Sequence, residues 1–336
     1  MRTYRSILII KPGAIGDLLH ITPVIRELKR QYPDALITML VNSAVTAQLF
    51  SHNPHVAETI IFDRKGEHRS YFALFDLWRR LRTARFDLAL NFQRSNLKTW
   101  FLTTAAFPCR LLVYHKNRKR LMHAVENHGA TLAPLGFVLH DNYLELFTGE
   151  NDELFVDELF TRYSLAGRTV VAINPGASNR IKCWPPRRFS ELADRLRVEL
   201  GVRVVIVGGG DERDLAEEII ADMATVPVDL LGATTLTQLG SLLRRCAVLV
   251  SGDTGPLHLA TSVGTRVIAL FGAIEPRRTG PVGEGHLVIR HPEVACVPCN
   301  ARNCDNSIYL ECMEKISVEE VFTAVAGILA ENREQH

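Results

Sequence analysis

Apolar runs in this chain are short: segments such as VVAIN and AVLV fall far below the roughly 20 residues that a bilayer-spanning helix needs. The N-terminal MRTYRSILIIKPGAIGD pairs a basic start with only about five apolar residues, too few for the core of a secretory signal. It reads as a first strand, and the protein is expected in the cytoplasm, with any membrane contact peripheral. Short repeats and low-complexity tracts are lacking, which excludes a solenoid. The glycine-rich turn after the first strand, G-A-I-G, is not a G-x-G-x-x-G fingerprint, so it does not call for NAD. No recognition motif or aromatic interleaving accompanies the basic segments, and nucleic acid is not an expected partner.

What is present is the mix of a soluble globular protein, with 47% hydrophobic and 23% charged residues. A length of 336 residues is comfortable for two cores. The formal charge of +2 conceals a split. Residues 1–150 hold 20 Lys and Arg against 12 Asp and Glu, a net +8; residues 151–336 hold 19 against 25, a net −6. The basic half favours an anionic partner. Its densest basic segment is YHKNRKRLMH, residues 114–123, with Lys116, Arg118, Lys119 and Arg120.

Strand-like and helix-like segments alternate, which argues for parallel sheets built from βαβ units. In the first half strands are expected at SILIIKP, ALITMLVN, ETIIFD, DLALNF and RLLVYH. The pattern lapses around residues 125–165 and restarts with TVVAINPG, VRVVIVGG, VDLLG, AVLVSGDTG, TRVIALFG and HLVIRH. Two consecutive doubly wound sheets fit better than one large sheet, and ligands in such folds sit at the carboxyl ends of the strands. The expected domains are residues 1–165 and 166–336, facing each other across a cleft. In the first helix, Leu18, Leu19, Ile21, Val24, Ile25 and Leu28 follow a helical repeat, and Pro23 inside it predicts a kink or a late start. The tail SVEEVFTAVAGILAEN reads as an amphipathic helix with Val318, Val321, Phe322, Val325, Ile328 and Leu329 on one side.

Several loops at the strand ends carry more polar chemistry than a connection requires. KPGAIGDLLH places Asp17 at a helix start, where an N-cap carboxylate would be ordinary. NPGASNRIKCWP offers backbone donors from Gly176 to Ser178 and one cation, Lys182, suited to a phosphate. VGGGDERD carries Glu212, either a helix-dipole partner or an acceptor for ribose hydroxyls. SGDTGPLHLATSVGTRVIALFG puts Asp253, Thr254, Gly255 and His258 at the start of a helix whose Pro256 suits the first turn. Free N–H groups and the dipole at such a terminus bind phosphate. His258 lies four residues beyond Thr254, on roughly the same face.

Through KPGAIGDLLHITPVIRELK, PGASNRIKCWP and SGDTGPLHLATSVGTRVIALFG, in this order and spacing, the chain resembles the ADP-heptose:lipopolysaccharide heptosyltransferases, glycosyltransferase family 9. The resemblance implies the GT-B architecture, two Rossmann-like domains with the sugar nucleotide held mainly by the second. It implies an inverting transfer of heptose from ADP-heptose to an inner-core sugar of lipopolysaccharide at the cytoplasmic face of the inner membrane. Asp17 would be the general base. Lys182 and the Thr254–Gly255 turn would hold the diphosphate, Glu212 would contact nucleoside or sugar, and Asp253 and His258 would complete the donor site, to which Ser178 would also belong. The last helix, about residues 316–332, would cross back onto the first domain. Lys116, Arg118, Lys119 and Arg120 become the acceptor-side candidates, since inner-core lipopolysaccharide is anionic.

The chemistry suits these residue types: a carboxylate can take the acceptor proton as the new bond forms. Oriented donors can meet the charge that builds on the leaving diphosphate. No D-x-D pair occurs, so transfer is expected to need no metal or other cofactor. The cysteines Cys296, Cys299, Cys304 and Cys312 follow C-x2-C-x4-C-x7-C, a spacing compatible with a structural zinc ion or with four unliganded thiols. Cys109, Cys183 and Cys246 read as ordinary buried or partly buried residues. Two alternatives stay open: a transferase for another nucleotide sugar of cell-envelope polysaccharide, and a nucleotide-sugar-binding protein without activity. The acceptor type is also open, with a leaning to type II.

Overall fold

The computed structural model describes residues 3–93, 96–117, 120–177 and 179–334. Eleven short apolar runs become eleven strands: β1 (Ser6–Ile10), β2 (Leu36–Val41), β3 (Glu58–Ile61), β4 (Leu88–Asn91), β5 (Arg110–Val113), β6 (Val170–Asn174), β7 (Arg203–Ile206), β8 (Val228–Asp229), β9 (Val248–Gly252), β10 (Val267–Leu270) and β11 (Leu287–Ile289). Central strands such as β4, β6 and β9 are buried along their whole length. That burial explains why they read as unbroken apolar runs rather than alternating ones.

The strands form two sheets in the orders β3-β2-β1-β4-β5 and β11-β10-β9-β6-β7-β8. All pairings are parallel. In each sheet the order of strand addition reverses once. The reversal lies between β1 and β4 in the first and between β6 and β9 in the second, the crevices where such folds take ligands. The compact units are Met1–Phe147 and Thr148–His336, each with its own core.

The sequence placed the division at 165/166, after the helix Glu150–Arg162; in the structure that helix belongs to the second unit. Its acidic face explains the assignment. Glu153 pairs with Arg244 at 3.0 Å and Arg245 at 3.3 Å, and Asp157 pairs with Arg245 at 2.6 Å. Thr237 Oγ1 donates to Asp152 Oδ1 at 2.9 Å. Within the segment where the strand pattern lapses, this helix is therefore an ion-paired packing surface.

The last helix, Val318–Glu334, buries the six residues its periodicity marked. Its partners are the helix Pro186–Leu200 and strands β10 and β11, all of the second unit. Its apolar stripe packs on Leu192, Leu196 and their neighbours within the second unit. In the first unit Pro23 marks a late start, because the helical pattern divides into Ile15–Leu19 and Thr22–Gln31 with the proline in the first turn of the second helix. No helix among the described residues is long and apolar enough to cross a membrane.

Candidate active site

In the second unit, polar residues converge where β6 and β9 end side by side. Asn174 closes β6 opposite Ser251 of β9 and is 1% exposed. Its amide oxygen accepts from Ser251 Oγ at 3.1 Å and from Thr254 Oγ1 at 3.0 Å. Its Nδ2 donates to the Val207 carbonyl at 3.0 Å. One buried amide thus ties three strand ends together. A buried amide left unpaired is costly, which is why its bonds are made.

Thr254 is the N-cap of the helix Gly255–Ser262, but its hydroxyl serves Asn174 and caps nothing. The amides of the first turn, with Pro256 among these residues, therefore have no side-chain cap. Lys182 ends a short turn of 3-10 helix, and its Nζ lies 2.6 Å from Asp253 Oδ2. Asp253 also faces His258 Nε2 at 3.7 Å. Burial pushes the Asp253 carboxyl up, but the bond from His258 and the charge of Lys182 outweigh it and hold its pKa below the ordinary value. Asp253 and His258 are both buried, so their first task here is to place the Lys182 ammonium. Gly252 permits that approach: a Cβ on it would stand 2.7 Å from the Lys182 carbonyl oxygen.

Glu212 arrives from the turn after β7, with Gly209 N–H donating to its Oε2 at 3.1 Å. Burial raises its pKa, and the neighbouring Asp211 adds to the effect. The carboxylate lies over Gly176, where a Cβ would come within 2.0 Å of it. Lys182, Glu212, Asp253, Thr254, Gly255 and His258 are thus gathered at one switch point, whereas Ser178 lies outside the described residues.

In the first unit, the corresponding crevice holds Asp17. It is not an N-cap: that position belongs to Ala14, and Asp17 is the third residue of Ile15–Leu19. Its side chain is 53% exposed and stands 3.6 Å from the Nζ of Lys11, whose side chain is 8% exposed. Behind them, the His128 ring packs on Phe92 and Tyr114 with Nδ1 3.3 Å from the His20 carbonyl oxygen. Burial, and next the charge of Lys11, lower the His128 pKa to about 3, so the ring is neutral. Burial, then the charge of Asp17, raises that of the Tyr114 phenol.

Tyr114 opens the basic loop. Lys116 and Arg120 are exposed on it, and Arg118 and Lys119 lie outside the described residues. Asn127 accepts the Asn117 N–H at 2.9 Å, and Asn117 accepts that of Arg120 at 3.1 Å, which shapes the loop.

Sequence reasoning missed Asn174, Lys11 and His128. The available signal for the first two was a polar residue closing an apolar strand (VVAIN, ILIIK), where burial is forced by the strand itself. His128 gave no signal, because nothing in its segment distinguishes a ring that folds under a distant loop.

The four late cysteines line one pocket of about 290 Å³ together with Ile181 and Leu310. Leu310 N–H donates to Cys304 Sγ at 3.2 Å, and burial followed by the nearby thiols pushes Cys312 up to about 11. Thiol chemistry suits zinc. As placed, however, no group of three or more His, Cys, Asp or Glu side chains among the described residues is arranged to hold a metal ion. Cys246 is buried, and Cys109 and Cys183 are half-buried.

The profile of Glycosyltransferase family 9 (heptosyltransferase) matches residues 74–310. Lipopolysaccharide heptosyltransferase 3 of Escherichia coli is 29% identical, over 94% of this chain and 96% of its own. Among solved structures, a family 9 glycosyl transferase from Veillonella parvula superposes with a TM-score of 0.86 at 23% identity, covering 98% of both chains. E. coli ADP-heptose lps heptosyltransferase II does so with 0.79 at 23% identity, covering 98% of this chain and 99% of its own. Both share the fold of two parallel-sheet α/β domains.

Proposed function

The chain belongs to glycosyltransferase family 9, and from that premise we propose that it transfers heptose from ADP-heptose to an inner-core sugar of lipopolysaccharide, inverting the anomeric carbon. The observation that carries the reading is the second-unit cluster. An uncapped helix N-terminus and an ammonium fixed by a buried carboxylate are aimed at the same strand ends. This pairing supports a site for a diphosphate, whose charge the ammonium and the helix amides would meet.

The Lys182 ammonium has three N–H donors. Asp253 takes one through its carboxylate and a second, weakly, through its carbonyl at 3.4 Å, which leaves one for phosphate. The amides opening Gly255–Ser262 supply further donors, and their dipoles favour the charge that develops as ADP departs. Glu212, held over Gly176, is assigned to the hydroxyls of the nucleoside or sugar.

Asp17 takes the proton of the acceptor hydroxyl as that oxygen attacks the anomeric carbon and the bond to the diphosphate breaks. Its exposure lets a large acceptor reach it, and the Lys11 ammonium stands 3.6 Å from it. Lys116, Arg120 and the rest of the basic loop meet the carboxylates and phosphates of the acceptor. Transfer takes place at the cytoplasmic face of the inner membrane, which the protein contacts peripherally.

The cysteine pocket is assigned a structural zinc ion with no part in transfer. Four thiols lining one pocket support this. Elemental analysis should find about one zinc per chain in protein purified without chelator. A content near zero removes the ion.

The decisive assay supplies ADP-, UDP- and GDP-sugars with a Kdo-lipid A acceptor and follows nucleotide release and product mass. Release from ADP-heptose alone is expected. No release, or release undiminished in Asp17→Asn, overturns the reading.

A further inference from the structure

On the first unit, the helices Tyr71–Thr83 and Leu97–Thr104 pack against each other. The first buries Leu74, Leu77 and Leu81 in the core, with the half-buried Trp78 packed against it. Its remaining apolar side chains point outward. Tyr71 is 84% exposed, Phe72 85% and Phe75 50%; on the second helix Leu97 is 87% exposed and Phe101 38%. Trp78 joins the two helices. Phe75 stacks on Trp78 at 5.7 Å, and Trp78 on Phe101 at 6.1 Å, so an aromatic row crosses from one helix to the other. Trp78 Nε1 donates to Thr104 Oγ1 at 3.0 Å, which fixes the indole between them. Contiguous exposed aromatics on a soluble unit mark an interaction surface.

The charges around this surface select its occupant. Residues 64–85 contain seven Lys and Arg but only two acids, Glu67 and Asp76. Arg80 is engaged with Glu58, while Lys65, Arg69, Arg79 and Arg82 are exposed. A second copy of the chain laid face to face would set these cations against themselves. Aromatic side chains that enter the headgroup layer, with arginines beside them to meet lipid phosphates, are the composition of an interfacial helix.

We propose that the outer face of this helix pair docks the first unit on an anionic phospholipid surface, Phe72, Phe75 and Leu97 entering the headgroup layer while Arg79 and Arg82 bind lipid phosphates. The surface stands on its own side chains. The choice of a bilayer also rests on the proposed function, whose acceptor is lipid-anchored.

The test is co-sedimentation of the full chain with vesicles of phosphatidylglycerol and phosphatidylcholine, or of phosphatidylcholine alone. Binding is expected to the anionic vesicles and to fall about tenfold in Phe72→Ser/Phe75→Ser and in Arg79→Glu/Arg82→Glu. Val138→Ser, an exposed apolar position elsewhere on the same unit, should leave it unchanged. Thermal melts of the variants should match the parent, since the substituted side chains are exposed. Transfer to a water-soluble, lipid-free acceptor should be retained by both pairs of substitutions. Vesicle binding that is missing, or equal in all variants, overturns the proposal. So does a parent dimer that the Phe pair dissolves. Vesicle binding needs no turnover, so failure of the transfer assay and failure of docking are read separately.

Discussion

At the switch point of the second sheet, Asn174, Ser251, Thr254, Lys182, Asp253 and His258 are bonded or ion-paired to one another, and most of them are buried. At the switch point of the first, Asp17 stands 53% exposed, with a buried lysine 3.6 Å away. The two crevices are topologically equivalent and furnished for different work. Groups that stabilise developing charge act best when they need no reorganisation, so a network that fixes them is useful. A general base must be reached by an incoming hydroxyl, so its carboxylate has to stay open to solvent.

The largest expected effect separates the two crevices. Asp17→Asn should lower kcat by about 10²–10⁴-fold while leaving ADP affinity unchanged by calorimetry. A parallel loss of ADP binding would break the division of labour.

Lys182→Ala should do the reverse, weakening ADP binding by about 10–100-fold, the size of a hydrogen bond to a charged group. It also leaves Asp253 buried without its ammonium, so the melting temperature should fall. Adding Asp253→Asn should restore much of the melting temperature and none of the affinity. If the pair behaves additively in both readouts, Asp253 is not the holder of Lys182.

The third prediction uses His128 under the first crevice, whose pKa is lowered from 6.5 to about 3. The unfolded chain binds this proton more readily than the fold does. The ring therefore costs nothing above pH 6.5, and stability falls as pH drops from 6.5 towards 3. The slope is about 1.4 kcal/mol per pH unit. Denaturant titrations of His128→Gln should lack this part of the acid limb. An unchanged limb would mean that the ring protonates in place.

The smallest effect concerns Gly176→Ala. The added Cβ meets only the end of the flexible Glu212 side chain, so the carboxylate moves aside and the melting temperature should shift little. ADP-heptose affinity should fall by a few-fold, about the worth of one hydrogen bond. Unchanged affinity would remove Glu212 from the donor site.

Much of this was legible in the chain. Buried parallel strands must be apolar along their length, so the central strands stood out, as did the six-residue stripe of Val318–Glu334. The polar loops followed because the fold puts ligands at strand ends. The allegiance of Glu150–Arg162 was not legible, since an acidic helix reads as solvated until Arg244 and Arg245 are found beside it. The aromatic face was not legible either: only the packing of Leu74, Leu77 and Leu81 on the core leaves Tyr71, Phe72 and Phe75 outside.

By itself, then, the order of residues determined two parallel sheets and the loops that close them, because strand burial and helix starts are written in local composition. Tertiary structure alone decided which side chains became partners: Lys11 with Asp17, Asn174 with Ser251 and Thr254, Lys182 with Asp253 across 71 residues. Those pairings depend on register and crossover geometry, which bring distant strand ends together and which no local pattern encodes.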